Sequence, residues 1–410
     1  MSAQEVRTES PSLWPARRLD PATAEAIEAL RSTLRAAEIE SEDLRRLPPA
    51  AVEAMAEAGV FKTAVPRELG GWEADALREF EIVEAVSRLS TSAGWSLAVA
   101  CFHTSLPVVL LPSEEAVREI IEGPALPVGA GFPGSVGKAR LVDGGMVVNG
   151  RYSWGSGILH AGWVIGGCNV EGDEVEAPRR VWVAPRDSVR IIDNWHVTGL
   201  RGTGSVDYEA DDLFVPDGWW FPFGDPGPLT DDAPLLLPDP RRGGRKYRVP
   251  IRVWPLAAHI GVLLGAAERA LELGAETASR KRRRMAAANV GERPVFQHDL
   301  ATWFVRLSAT RDNAMRLFGT VAELAAAEEP VTKDLILQIY GLAAHSAKTA
   351  TAVAQMAYGY GGSSAVRLDS PLQQVLRDLL VAQQHLLYTD SQLEQVGEWL
   401  VDRAAATDER

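Results

Sequence analysis

A chain of 410 residues has room for two or three domains and a substantial core. Apolar residues make up 46% and charged residues 24%, the balance of an ordinary globular protein. A formal net charge of −13 repels nucleic acid and anionic lipid, so neither is an expected partner.

The N-terminal "MSAQEVRTESPSLWPARRLDP" carries acids and no apolar core, so it does not read as a secretory signal. No uninterrupted apolar run of about 18 residues occurs, and the expected location is cytoplasmic. Cys101 and Cys168 lack CxxC spacing and are expected as buried free thiols.

Residues 1–123 are expected to form a helical domain. From Pro21 onward the apolar residues recur at steps of three and four, in an alanine- and leucine-rich background. "GWSLAVACFHTSLPVVLL" is apolar on most faces and predicts a buried helix. "PSEEAVREIIEG" predicts a serine-capped helix with acids in its first turn.

Near Pro124 the period changes to two. Over 124–224, Val, Ile, Trp and Tyr alternate with polar residues between Asp-Gly and Gly-Gly turns, predicting six to eight antiparallel strands. A proline- and aspartate-rich loop fills 225–248, and 249–410 returns to helical patterning in four or five long helices. The fold class is α+β, with a helical domain on each side of a central antiparallel β domain.

Several chemical motifs fail on context. "GAGFPG" at 129–134 satisfies GxGxxG, but strand-like sequence follows it, so no helix N-terminus would meet a pyrophosphate. No P-loop occurs, and seven scattered histidines lack metal-ligand spacing. "WGSGI" lacks the first glycine of a nucleophile elbow. The basic run "RKRRR" at 280–284 reads better as a solvated helix end than as a nucleic-acid patch.

Four segments in order do carry a resemblance. "AVEAMAEAGVFKTAVPRELGG" (51–71), "GLRGTGSVDYEADDLFVPD" (199–217), "GVLLGAAERALELGAETASRKRRR" (261–284) and "YGYGGSSAVRLDSPLQQVLRDLL" (358–380) resemble the acyl-CoA dehydrogenase-fold flavoproteins. The commonest dehydrogenases of that fold place a catalytic glutamate just after the "RD" helix; here the residues are "HLLYTD". Without that carboxylate, α,β-dehydrogenation loses its first proton transfer.

"RDLLVAQQH", "GRYSWGSGILHAGWVIGG", "GWSLAVACFH" and "KYRVP" are instead similar to segments of the two-component (group D) flavin-dependent monooxygenases. These include p-hydroxyphenylacetate hydroxylase oxygenase components, dibenzothiophene monooxygenases and amino-sugar N-oxygenases. Gln374 departs from the arginine that many of these proteins carry.

The resemblance implies a homotetrameric oxygenase component that takes reduced FMN or FAD from a separate NAD(P)H-dependent flavin reductase. It would use O2, through a flavin hydroperoxide and without a metal, to oxygenate a small aromatic or heteroatom-containing substrate. An acyl-CoA dehydrogenase or nitroalkane-type oxidase with bound FAD, and a non-catalytic relative, are the alternatives.

On this reading His385 manages the oxygen side, its imidazole poised near neutrality. Asp378, seven residues earlier on the same helical stripe, would orient it, unless the pair is structural. Ser156 would hydrogen-bond flavin or substrate from a glycine-flanked strand end, Gly155 and Gly157 letting the backbone approach a planar ring. The plainer reading of Ser156 is a turn serine.

His103 would face the substrate from the opposite wall, or is a satisfied core histidine. Arg248 would neutralise developing negative charge, or is a solvated loop arginine. Arg280 and Arg282 suit the flavin phosphate, from this or a neighbouring subunit, with Gly361 and Gly362 beside it; a solvated helix end is the alternative. Trp154 and Trp195 are candidate walls for ring or substrate, or packing residues.

Overall fold

The computed structural model describes residues 19–123, 126–129, 136–174, 177–224, 239–282 and 287–408. Six helices come first: α1 (Pro21–Ala29), α2 (Arg31–Leu44), α3 (Pro49–Glu57), α4 (Ala76–Leu89), α5 (Thr91–Leu110) and α6 (Glu114–Glu122). Their starts follow capping chemistry. Asp75, Ser90 and Ser113 accept from the backbone N–H groups of Arg78, Ala93 and Ala116, satisfying donors that the first helical turn leaves open.

Eight strands follow: β1 (Leu126–Gly129), β2 (Val136–Val142), β3 (Gly145–Gly155), β4 (Ala161–Val170), β5 (Arg179–Pro185), β6 (Arg190–Ile192), β7 (Val206–Pro216) and β8 (Trp220–Phe223). They form one sheet in the order β6-β7-β3-β2-β4-β5-β8, with β1 also paired to β4. The sheet is mixed rather than purely antiparallel as expected. β1 and β2 both run parallel to β4, while the other pairings are antiparallel. Alternation in the sequence shows the period of a strand but not the direction of its neighbour.

The C-terminal part holds α7 (Trp254–Arg280), α8 (Pro294–Ala327), α9 (Lys333–Gly361), α10 (Pro371–Ala382) and α11 (Asp390–Asp408). Helix α7 is buried along most of its length and packs on α4, α5, α9 and α10. Gly261 and Gly265 let α4 approach closely, because a Cβ at either would collide with the α4 backbone at Phe80 or Glu84.

Buried ion pairs tie the same helices. Arg88 on α4 is held by Glu268 and Glu272 of α7, and Arg311 on α8 by Glu84 of α4 at 2.9 Å. Helix α5 is long and apolar enough to cross a bilayer, but 89% of that stretch is buried inside the protein. Both cysteines are buried free thiols. Residues 130–134 of the GAGFPG segment and 225–238 of the proline-rich loop lie outside the described residues.

Candidate active site

Five pieces of chain meet: α5, the end of β3, the 193–205 loop, the start of α7 and the turn after α10. Strand β3 slips register between Tyr152 and Gly155, and Trp154 there adopts φ +68°, a left-handed conformation that costs a bulky residue energy. The kink leaves the indole of Trp154 63% exposed and turns Ser156 inward, to 6% exposure.

The Ser156 hydroxyl accepts from Trp95 Nε1 at 3.3 Å and lies 2.6 Å from Ser205 Oγ. Ser205 Oγ is 2.7 Å from Thr203 Oγ1, which donates to the Leu200 carbonyl at 2.9 Å. Ser156 is thus the near end of a row of hydroxyls, a more specific arrangement than a turn serine.

Trp95 also joins Ser156 to the imidazoles. Its ring meets His259 and His385 edge-on, with centroids 5.4 and 5.3 Å away. The two imidazoles stack at 5.0 Å with 22° between their planes. His259 sits one turn into α7, its Nδ1 2.8 Å from the Pro255 carbonyl. A carbonyl only accepts, so Nδ1 carries the proton and Nε2 is bare. His385 has the opposite tautomer: its Nδ1 accepts from Leu387 N–H at 3.4 Å, leaving the proton on Nε2.

Burial is the first cause that pushes the pKa of His259 down to about 4 and of His385 to about 3, the latter also through the neighbouring His259 and His103. Both rings are therefore neutral at pH 7. His385 is a fixed N–H donor, not the group poised to titrate near neutrality that its sequence context suggested. Nor is it on the helix. Helix α10 ends at Ala382, and His385 caps a short 3-10 turn over Leu386–Tyr388.

Asp378 does not orient His385. Its Oδ1 accepts from the Leu200 backbone N–H at 2.6 Å, across 178 residues of sequence. Arg377 beside it donates to the Thr198 carbonyl and, at 2.7 Å, to Glu42. Gly199 lies against the α10 backbone, where a Cβ would strike the Arg377 carbonyl. The Arg–Asp pair thus clamps the glycine-rich loop that carries Thr203 and Ser205. Burial is the main force pushing the Asp378 carboxyl up to about 7. Gln374 is also structural, donating to the Glu38 carbonyl at 2.8 Å.

The remaining predicted residues divide. His103 is buried on α5 and close enough to His385 to affect its pKa. Trp195 is buried, donates to the Leu200 carbonyl at 3.2 Å and meets Trp154 edge-on at 5.8 Å. Arg248 is exposed, on a 3-10 turn just before α7. Arg280 is exposed at the far end of α7, about 30 Å along the helix from His259 at 1.5 Å per residue.

Arg282 pairs through its backbone with Asn289. Gly361 and Gly362 end α9, where Lys281 donates to the Gly361 carbonyl and to Ser364 Oγ. These glycines and the terminal arginines form a second locus, which one chain does not bring to the imidazoles.

Reading the sequence missed Trp95, His259, Thr203 and Ser205. A lone histidine in "WPLAAHIGVLLG", one turn into a largely buried helix of the second bundle, was the available signal for His259.

The donor set is neutral throughout: hydroxyls, indole N–H groups and uncharged imidazoles on aromatic walls. The rings packed against His385 are Trp95 edge-on, His259 stacked and Tyr388 tilted, and the side chains bonded to Ser156 are Trp95 and Ser205. None carries a carboxylate. Among the described residues no cluster of His, Cys, Asp or Glu is placed to hold a metal. Such a surface fits a planar heteroaromatic ring with hydrogen-bonding edges, as the isoalloxazine of a flavin is.

Helical domain, sheet and helical bundle around this site define a flavoprotein of the acyl-CoA dehydrogenase fold. The family pattern for the acyl-CoA dehydrogenase N-terminal domain matches residues 23–123, and that for the C-terminal domain matches residues 257–389. The flavin-dependent monooxygenase oxygenase subunit HsaA of Rhodococcus jostii is 30% identical, the match covering 88% of this chain and 92% of that protein. Indole-3-acetate monooxygenase of Pseudomonas putida is also 30% identical, over 92% of each chain.

Among solved structures, XiaF from a Streptomyces species, in complex with FADH2 and glycerol, superposes with a TM-score of 0.80. It shares 21% identity and covers 92% of this chain and 93% of its own. The chain belongs to the two-component flavin-dependent monooxygenases of the acyl-CoA dehydrogenase fold, and it is an oxidoreductase.

Proposed function

We propose that this chain is an oxygenase component that receives reduced FMN or FAD from a separate NAD(P)H-dependent flavin reductase. With O2 it inserts one oxygen atom into a small aromatic or heteroatom-bearing substrate. The observation that carries this reading is His385, a neutral Nε2–H donor stacked on a second neutral imidazole, at the place where dehydrogenases of this fold need a carboxylate. The alternative dehydrogenase reading lacks a carboxylate base among the contacts of His385 and Ser156.

Reduced flavin, when bound, supplies the two electrons by which dioxygen is divided between product and water. The protein does the rest. Trp95, His259 and Tyr388 exclude water from around His385, which strengthens each hydrogen bond made there. His385 Nε2–H holds an oxygen atom in place, and Ser156 binds the ring edge.

The exposed indole of Trp154 stands at the rim as a stacking face. An aromatic substrate is supported by these walls and by the relative that acts on indole-3-acetate. Arg280 and Arg282, distant from the imidazoles within one chain, would hold the flavin phosphate of a neighbouring copy in a homotetramer. A cytoplasmic location agrees with the reduced thiols.

The test is oxygen transfer from 18O2. The chain, mixed with a flavin reductase, NADH and a panel of phenols and indoles, is expected to place a single 18O in product. H385A is expected to fold, to lose at least about tenfold in product, and to release hydrogen peroxide in its place. A purified yellow protein that reduces a dye with an acyl-CoA would sink the oxygenase reading. Unchanged coupling in H385A would remove His385 from the mechanism.

A further inference from the structure

The row of hydroxyls behind Ser156 has a fixed direction. A threonine hydroxyl has one proton, and that of Thr203 goes to the Leu200 carbonyl, which also accepts from Trp195 Nε1 and from Thr203 N–H. With its proton committed, Thr203 Oγ1 can only accept from Ser205, so Ser205 is the donor at 2.7 Å. Ser205 has then spent its own proton, and Ser156 must donate to it at 2.6 Å.

Trp95 Nε1, which only donates, takes one lone pair of Ser156. What Ser156 has left is its other lone pair. All four contacts are satisfied by this assignment alone.

We infer that Thr203 and Ser205 are positioning residues that lock the Ser156 hydroxyl as an acceptor, so that the site selects a ring edge bearing N–H over one bearing a bare nitrogen. The inference rests on the flavin reading above and deepens it. Two-electron reduction of an isoalloxazine protonates ring nitrogen that is a bare lone pair in the oxidised form. A locked acceptor therefore pairs with the reduced ring and sets lone pair against lone pair with the oxidised one.

Leu200, the anchor of the row, is itself held by Asp378 through its N–H. The clamp on α10 and the polarity of Ser156 are consequently one construction. Selection between the two redox states comes from where a proton two residues behind the ring is sent, without any charged group at Ser156.

The experiment is anaerobic titration of the full-length protein with FMN and with FAD, each oxidised and each reduced by dithionite, followed by fluorescence and calorimetry. The wild type is expected to bind the reduced form more tightly. S205A removes the acceptor of the Ser156 proton and lets it turn outward. T203V, of nearly equal shape, abolishes the bond to the Leu200 carbonyl and reverses the row.

In both variants the ratio of oxidised to reduced dissociation constants is expected to fall about tenfold, through tighter binding of the oxidised form. T203S keeps the hydroxyl and is expected to keep the wild-type ratio. Should T203V not fold, S205A, which loses a single oxygen atom, decides.

A purely structural role would weaken both redox forms alike and leave the ratio unchanged. That result overturns the inference, as does a wild type without preference for the reduced form. A wild type that binds neither form overturns the flavin reading itself.

Discussion

Two of the buried polar networks among the described residues are built oppositely. Between α4, α7 and α8 the partners form ion pairs: Arg88 with Glu268 and Glu272, Arg311 with Glu84. Around Trp95 they are neutral: serine and threonine hydroxyls, two imidazoles and an indole. Charges buried in pairs fix helices firmly, because either partner left alone is heavily penalised. Neutral groups can remain buried with a lone pair or an N–H unspent, and that residue of hydrogen-bonding capacity is what a ligand meets. The first network holds the frame; the second keeps an opening in its bonding.

The largest expected effect comes from breaking the charged network. R88A removes the guanidinium paired with Glu268 and Glu272, with Arg269 still 3.9 Å from Glu272, and is expected to destabilise the protein by about 3–5 kcal/mol. The check is the midpoint of urea unfolding. A loss well below this would place the α4–α7 contact among ordinary surface pairs.

A pH-dependent effect separates Asp378 from both networks. Its folded pKa of about 7 lies above the unfolded 3.8, so the folded state holds its proton longer. Stability from this group is present at low pH and is lost as pH rises from about 4 to 7, by at most about 1.4 kcal/mol per pH unit. D378N retains an acceptor for Leu200 and is expected to remove this decline. Parallel stability–pH curves for the two proteins would refute the burial of the carboxyl.

A further effect concerns the imidazoles and has the opposite sign. His259 drops from 6.5 unfolded to about 4 folded, so the unfolded state takes up its proton first. Stability from its burial is present above pH 6.5 and is lost as pH falls toward 4. In the wild type this trend offsets that of Asp378, and D378N should expose it. Imidazole NMR signals of His259 and His385 are expected to stay in the neutral form from pH 8 to 5; titration of either near 6.5 would contradict the closed, neutral cluster.

Much of the fold was legible in the sequence. The change from three-and-four spacing to alternation near Pro124 and the serine cap at Ser113 are local properties, and the structure has elements there. The resemblance singled out Ser156 and His385, and the structure brings both against Trp95. Of the two readings of Asp378 the structure has the structural one: helical spacing places residues seven apart on one stripe, but here the helix stops at Ala382 before that rule reaches His385. A one-turn difference in where a helix ends is beyond what propensity fixes.

The sequence by itself determined the order of helices and strands and the place near Pro124 where one period gives way to the other. Those follow from residue type and periodicity along the chain. Tertiary structure decided the strand directions, the tautomers and neutrality of His259 and His385, and the direction in which Ser156 sends its proton. Each of these depends on what lies across tens to hundreds of residues, because a proton's position and a group's charge are set by the partner and solvent around it.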